Sequence, residues 1–432
     1  MLFGKKREAA AVVAPLNYWE EQSVFIIIPR NEDDISDPAA LCDRIEAIPG
    51  VKFISQDFSE ETGNLSIEIA HFDKRLNISF YPMDFSLPNI CRSNHFFPDI
   101  DIELIEKSTA ALYFSMKING NILDAYHLQL KLSDALVHDA LAVYDESAEK
   151  LLSGKWVSMV AASSVPPAPS YLYTIHAVTS DDSSIWLHTH GLCRCGLSEL
   201  EILESNKEVY GDHANIINII AGRCIDDCSD LKSKEPLFVG DLNDNVTLVC
   251  TTVPWNEALC GFDKDVLGGI NDRGDSHNTR SSVIFVYPTK KDADKKRYSK
   301  LSIYDGVMKD NPIYMISTAE TNRMRAMAAE RINFVKDYIG TEDCKIMLKI
   351  GLTVDDEYSN LTDRFENIWF VLLEYSDSKF IAKLSQEPYY IKNMHEGDIG
   401  TYTADQITDW CIYKSGTKIT PDTAYLLEYL DS

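Results

Sequence analysis

Short apolar runs separated by single helix patterns are the feature that most constrains this fold. Residues 23–29 and 51–58 have the length and apolar content of β-strands. Between them, Asp37 followed by Pro38 marks a helix start, because Asp caps free backbone N–H groups and Pro suits the first helical position. The same strand-helix-strand order recurs at residues 110–144. The chain is therefore predicted to be α+β, with helices packed on antiparallel sheets.

The chain length implies several domains. At 432 residues it is too long for one ordinary core, and about two to four domains of roughly 100–200 residues are expected. The pattern predicts a disordered arm at residues 1–17, a small α+β domain at 18–107, a central α+β domain at 108–340 and a β-rich domain at 341–432. The first two folded units are predicted to be α/β sandwiches with antiparallel sheets, and the last a small barrel-like module. The arm has basic residues before an apolar run, as export signals do, but Glu8 interrupts it.

The charge of the chain restricts its partners. A net charge of −26 repels nucleic acid backbones and anionic membranes and attracts basic proteins. No run approaches the roughly 18 apolar residues that span a bilayer. The ten cysteines lack the spacing of a disulfide framework, which favours reduced thiols in the cytoplasm. We therefore predict a cytoplasmic protein whose ligand is a protein, such as a basic one, or a small molecule, and neither nucleic acid nor a membrane.

The densest set of candidate ligands follows a predicted hairpin, in which residues 171–178 and 185–190 pair across a turn at 181–184. His188, His190, Cys193 and Cys195 fall within eight positions. Alternate residues of a strand share a face, so the two histidines point the same way, and a cysteine could complete a tetrahedral zinc site. The cysteines lack the usual Cys-x₂₋₄-Cys spacing of structural zinc. We expect no bound metal or other cofactor, and histidines held by hydrogen bonds beneath a helix at 197–203; zinc is the alternative.

Other motifs narrow the function classes. The chain has no P-loop, no dinucleotide-binding glycine pattern and no nucleophile elbow, so no catalytic residue is assigned. The loop at 261–280 is rich in Gly, Asp and Asn, and it is predicted to be mobile or functional. In the C-terminal module, aromatic residues are candidates for core packing or for a partner-binding face. The partner-binding candidates are Trp369, Tyr389, Tyr390 and Trp410.

Four blocks in the last fifth of the chain carry a family resemblance. They are Ile368-Trp369-Phe370-Val371, Gln386-Glu387-Pro388, Glu396-Gly397-Asp398 and Ile407-Thr408-Asp409-Trp410. Their spacing resembles the YegJ-like domain, an uncharacterised bacterial family. Upstream, HTHGLCRCGLSELEIL and NPIYMISTAETNRM resemble a bacterial family of unknown function that is often joined to this tail. The passage around Thr189-His190-Gly191-Leu192 is similar to the suppressor-of-fused-like group, whose bacterial members include toxin-neutralising proteins. The resemblance implies a bacterial protein and supplies no catalytic residue.

These observations favour a non-enzymatic binding protein, such as one that neutralises a basic toxin. A metal-dependent enzyme centred on His188 and His190 is the first alternative. The second is a scaffold that docks a partner through its C-terminal module.

Overall fold

The computed structural model describes residues 22–59, 64–72, 74–92, 97–179, 184–243, 246–274, 277–308, 317–358 and 364–431. The arm predicted at residues 1–17, and most of the turn predicted at 181–184, lie outside these ranges. Within the described ranges, helices and mainly antiparallel strands alternate in three sheets, which confirms the α+β class. Within the same ranges, no helix combines the length and apolar content needed to cross a bilayer.

The first sheet has seven strands in the spatial order β2-β3-β4-β5-β1-β6-β7, all paired antiparallel. The strands are β1 (Ser23–Ile28), β2 (Val51–Phe58), β3 (Leu65–His71), β4 (Lys74–Asp84), β5 (Ala110–Met116), β6 (Ala142–Asp145) and β7 (Lys150–Ser153). Its helices are α1 (Pro38–Glu46), α2 (Ile102–Ile105), α3 (Ile122–Leu136) and α4 (Gly154–Ala162). As predicted, Asp37 caps α1 by accepting from the backbone of Ala39 and Ala40.

The domain boundary predicted between residues 107 and 108 is wrong as a division between sheets. Strand β5 pairs with β4 on one side and with β1 on the other, so the two predicted units share one sheet. The local strand-helix-strand pattern was read correctly at both places. Pairing between strands that are distant in sequence leaves no local signal. The repeated strand-helix-strand pattern therefore predicts two domains where the structure has one sheet.

The second sheet has the order β11-β12-β13-β10-β9-β8, with β14 added beside β13. Its strands are β8 (Thr174–Thr179), β9 (Ile185–His190), β10 (Glu199–Ser205), β11 (Leu237–Asn243), β12 (Val246–Pro254), β13 (Ser281–Val286) and β14 (Ser299–Lys300). Its helices are α5 (Tyr210–Asp226), α6 (Trp255–Ala258), α7 (Lys290–Asp294) and α8 (Asp305–Met308). The predicted β8–β9 pairing is confirmed. The helix predicted at 197–203 is wrong, because these residues enter the strand β10, which is buried between β9 and β13.

The third sheet has the order β18-β17-β16-β15-β19-β20. Its strands are β15 (Cys344–Thr353), β16 (Phe365–Ser376), β17 (Lys379–Leu384), β18 (Ile399–Tyr402), β19 (Ile407–Lys414) and β20 (Thr417–Ile419). Its helices are α9 (Thr318–Glu330), α10 (Ile332–Asp337) and α11 (Leu426–Asp431). The barrel-like module predicted here is wrong, because β18 and β20 end the sheet at opposite edges and the sheet stays open. Ser317 caps helix α9 by accepting from the backbone of Glu320, and α9 packs against β19.

Candidate metal centre

Strands β8 and β9 bring three histidines to one face of the second sheet. Along β9, His188 and His190 are two residues apart and therefore share a face. In the antiparallel pairing, His176 of β8 lies directly opposite His188. Directly opposed residues of antiparallel strands project to the same side. The register of one hairpin is thus enough to gather the three imidazoles.

The three rings lie close enough to share a ligand. One ring nitrogen from each histidine lies within 4.8 Å of the other two. The ring centroids of His176 and His190 are 4.7 Å apart, and those of His188 and His190 are 5.0 Å apart. In a tetrahedral zinc site with Zn–N bonds of about 2.0–2.1 Å, the nitrogens lie roughly 3.4 Å apart.

Each of these histidines has a buried ring nitrogen with no hydrogen-bond partner among the described residues. The atoms are Nε2 of His176, Nδ1 of His188 and Nε2 of His190. Buried polar atoms are nearly always paired, and leaving one unpaired costs about 1–3 kcal/mol. Three such atoms in one cluster make it a candidate ligand site, where a ligand would supply the missing partners. This contrasts with the sequence-based expectation that hydrogen bonds would hold these rings.

A carboxylate lies near the other nitrogens of two of the rings. Oε2 of Glu149 is 3.6 Å from Nδ1 of His176, and Oε1 is 4.0 Å from Nδ1 of His190. Glu149 has a φ of 51°, in the left-handed region that residues other than glycine seldom adopt and that is enriched at functional sites. Burial raises the pKa of its carboxyl. Metal-ligating histidines commonly present their second nitrogen to such a carboxylate, which orients the ring.

Burial keeps the three imidazoles neutral. Desolvation, reinforced by the neighbouring histidines, lowers the pKa of His188 to about 2 and that of His190 to about 3. The pKa of His176 falls to about 4, through burial first and then through His277. Neutral imidazole is the form that donates a lone pair to a metal ion. At neutral pH, therefore, no proton has to be displaced before a metal binds.

A fourth histidine approaches from the loop at 261–280. The ring centroid of His277 is 5.0 Å from that of His190 and 5.4 Å from that of His188. Arg273 anchors this loop to the sheet. Its guanidinium forms two hydrogen bonds to Glu201, of 2.8 and 2.6 Å, and Glu201 is the β10 partner of His188. The loop and the histidine strand are thus joined by a buried ion pair.

A polar cleft of about 560 Å³ gives access to the cluster. Glu149, His190 and His277 line one part of it. Cys193 and Arg280 line another part. Of the three clustered histidines, His190 is the one that lines this cleft, so a ligand bound at its ring would lie beside the cleft.

The structure separates the predicted cysteines from the predicted histidines. Cys193 and Cys195 lie on the short turn after β9, outside the group of ring nitrogens. The Sγ atom of Cys193 donates to the carbonyl oxygen of Arg280 at 3.6 Å. The turn itself is held by Glu199, which accepts hydrogen bonds from Thr189 Oγ1 and from the backbone of Gly191 and Cys193.

The aromatic candidates of the C-terminal module divide into buried and exposed residues. Trp410 is fully buried and donates its indole N–H to the carbonyl oxygen of Ala328 at 3.2 Å. Its assignment to a partner-binding face is therefore wrong, because it fills the space between β19 and α9. Trp369 is half-buried. Tyr389 and Tyr390 reach the surface, with 80% and 39% of their area exposed.

Sequence reasoning missed three residues of the site: Glu149, His176 and His277. The hairpin register held a signal for His176, since pairing residue 174 with 190 places it opposite His188. Glu149 and His277 come from distant turns, and no local pattern identifies them.

Comparison with protein families gives three consecutive matches. Residues 23–167 match the N-terminal domain, and residues 175–285 the C-terminal domain, of a family described as protein of unknown function (DUF4026). Residues 321–430 match a family described as uncharacterized protein conserved in bacteria (DUF2314). These matches define a multidomain protein built from uncharacterised domains. The chain belongs to the DUF4026 family and carries a DUF2314 domain behind it. No curated protein and no solved structure matches the chain.

Both DUF4026 domains contribute to the histidine cluster. Glu149 falls in the range matched by the N-terminal domain, whereas His176, His188, His190 and His277 fall in the range of the C-terminal domain.

Proposed function

We propose that the protein binds one divalent transition-metal ion of the zinc type through His176, His188 and His190. The observation that carries this proposal is the convergence of three imidazoles, each with one buried ring nitrogen that has no partner among the described residues. Imidazole is a preferred ligand of zinc, copper, iron and nickel. Three protein ligands with a free fourth position are the arrangement of catalytic rather than structural zinc sites.

The cleft makes a hydrolytic reaction the chemistry that this arrangement supports best. A bound ion would act as a Lewis acid toward a water molecule or a substrate oxygen at the open side. Glu149 would orient His176 and His190, and its raised pKa suits it to accept a proton at the cleft wall. This proposal corresponds to the first alternative of the sequence analysis, a metal-dependent enzyme centred on His188 and His190.

Metal content tests the proposal directly. Protein stripped with a chelator, reloaded with zinc and dialysed should retain about one equivalent, and cobalt in its place should give the absorption of a tetrahedral site. His188→Ala and His190→Ala should each abolish retention. His395→Ala, which alters an exposed histidine, and Cys193→Ser should leave it unchanged. Equal retention by wild type and His188→Ala, or none by either, would contradict the proposal.

A second candidate, binding of a basic protein such as a toxin in the cytoplasm, is supported by the net charge of −26. The ten free cysteines are compatible with a reducing compartment. The resemblance to suppressor-of-fused-like proteins points the same way, and exposed Tyr389 and Tyr390 are the available aromatic contacts. Replacing Glu32, Asp33 and Asp34 with neutral residues should slow capture of a basic partner at low salt. Unchanged capture rates would count against a charge-driven interface.

A further inference from the structure

A second and larger cleft, of about 1010 Å³, lies on the first sheet. Helix α3 forms one wall, the end of α1 and the β3–β4 connection form another, and α4 closes one side. None of the histidines of the candidate metal centre lines it. This cleft is therefore separate from the proposed metal site.

The charge of this cleft is opposite to that of the protein. Its fixed charges are Arg44, Lys74 and Lys131 against Asp124 and Asp134, three positive and two negative, for a net charge of +1. The whole chain carries −26. Asp134 is moreover already engaged, because it accepts a hydrogen bond from Ser158 and lies 3.3 Å from Nδ1 of His138. A local positive site in so acidic a protein attracts anions that the remaining surface repels.

Two lysines, Lys74 and Lys131, line this cleft. Lys131 donates one N–H to the carbonyl oxygen of Ser163 at 2.8 Å, which fixes the ammonium group and leaves two donors. Lys74 is exposed at the rim. Both lysines act on His71, whose pKa is lowered by burial first and then by Lys131 and Lys74. Lys74, Lys131 and His71 all line the same cleft.

Much of the remaining lining is aliphatic. Ile48, Leu76, Met116 and Leu128 supply aliphatic surface. At the mouth, Phe72 is 76% exposed and has a φ of 54°. An exposed aromatic ring held in the left-handed region is costly, and such strain concentrates at ligand sites.

We propose that this cleft binds a small amphipathic anion, namely a carboxylate on an apolar body such as a medium-chain acyl group. The carboxylate lies between Lys74 and Lys131, and the apolar body covers the aliphatic wall. A net charge of +1 matches a singly charged head group better than a doubly charged phosphate. Pockets that combine an apolar lining with a few convergent polar groups are the usual form of small-molecule sites.

Decanoate is the probe, with decanol as its uncharged analogue and decyltrimethylammonium as its cationic one. Calorimetry on the full-length protein should show saturable binding of decanoate, weaker binding of decanol and none of the cation. Lys74→Met and Lys131→Met should each weaken decanoate binding about tenfold, the effect of one lost charged hydrogen bond. Lys107→Met, which alters an exposed lysine outside the cleft, should have no effect.

Because Lys131 also holds the carbonyl of Ser163, Lys74→Met is the decisive variant, and thermal unfolding checks that each variant is folded. The ring protons of His71 provide an independent readout, since an adjacent anion should raise the pKa of this histidine. Absence of decanoate binding, equal binding of decanol, or unchanged affinity in Lys74→Met would overturn the proposal. His188→Ala should bind decanoate as the wild type does, which separates this site from the metal centre.

Discussion

The second and third sheets differ in whether all their buried polar side-chain atoms have hydrogen-bond partners. In the third-sheet region, described at residues 317–358 and 364–431, no buried side-chain nitrogen or oxygen lacks a hydrogen-bond partner. In the second-sheet region, His176, His188 and His190 all carry such an atom. The third region resembles a core completed for stability. The second-sheet region retains unpaired buried ring nitrogens, which cost stability, and such costs are characteristic of functional sites.

The largest expected effect is in the third sheet. Trp410 is fully buried, and its indole joins β19 to α9. Trp410→Ala should lower the free energy of unfolding of this region by about 3–5 kcal/mol, through lost packing and the cavity left behind. Denaturant titration measures the change. Tyr389→Ala, at an exposed aromatic residue, should change stability by less than about 0.5 kcal/mol. Similar losses in both variants would show that burial does not distinguish them.

A smaller effect of the opposite sign is expected at the histidine cluster. In the presence of a chelator, His188→Leu should raise the free energy of unfolding by about 1 kcal/mol, because it removes an unpaired buried nitrogen while keeping an apolar group of similar size. The same variant should retain no zinc. Chemical denaturation of wild type and variant, each free of metal, makes the comparison. The ring of His188 also packs on Trp186, with centroids 4.0 Å apart. Destabilisation by the leucine would mean that this packing outweighs the unpaired atom.

A third expected effect is a pH dependence in the third sheet. Burial raises the pKa of Asp409 from 3.8 to about 6, against the opposing effects of the Trp410 backbone N–H and Lys349. Between about pH 4 and pH 6 the native state then binds more protons at this residue than the unfolded state, so its contribution to stability falls as the pH rises. Asp409→Asn should lack this contribution and become relatively more stable at neutral pH. A stability difference between the two proteins that stays constant from pH 4 to pH 7 would be inconsistent with this assignment.

The sequence predicted local features well. Short-range patterns predict the strand that carries His188 and His190, the cap of α1 at Asp37 and the hairpin of β8 and β9. The strand β10 was mistaken for a helix because Glu199 and Glu201 interrupt its apolar run. Both are buried and paired, Glu199 with the turn after β9 and Glu201 with Arg273. Partners of this kind come from other segments, and a single segment does not reveal them.

For the same reason, only part of the candidate site could be predicted from the sequence. His188 and His190 are neighbours in sequence, whereas Glu149 and His277 reach the cluster only through the tertiary fold. The open third sheet was mistaken for a barrel because closure depends on whether the edge strands meet, and strand patterns do not specify this.

The position of β1 within the first sheet has a consequence for synthesis of the chain. Its neighbours are β5 and β6, which begin at Ala110 and Ala142. At about 5–20 residues per second, the ribosome needs roughly 4–16 s to proceed from the end of β1 to the start of β5. During that interval the segment Val-Phe-Ile-Ile-Ile at 24–28 has no partner strand on either edge. An apolar strand with two open edges is prone to aggregate, so we expect the nascent chain to need protection of this segment until β5 emerges.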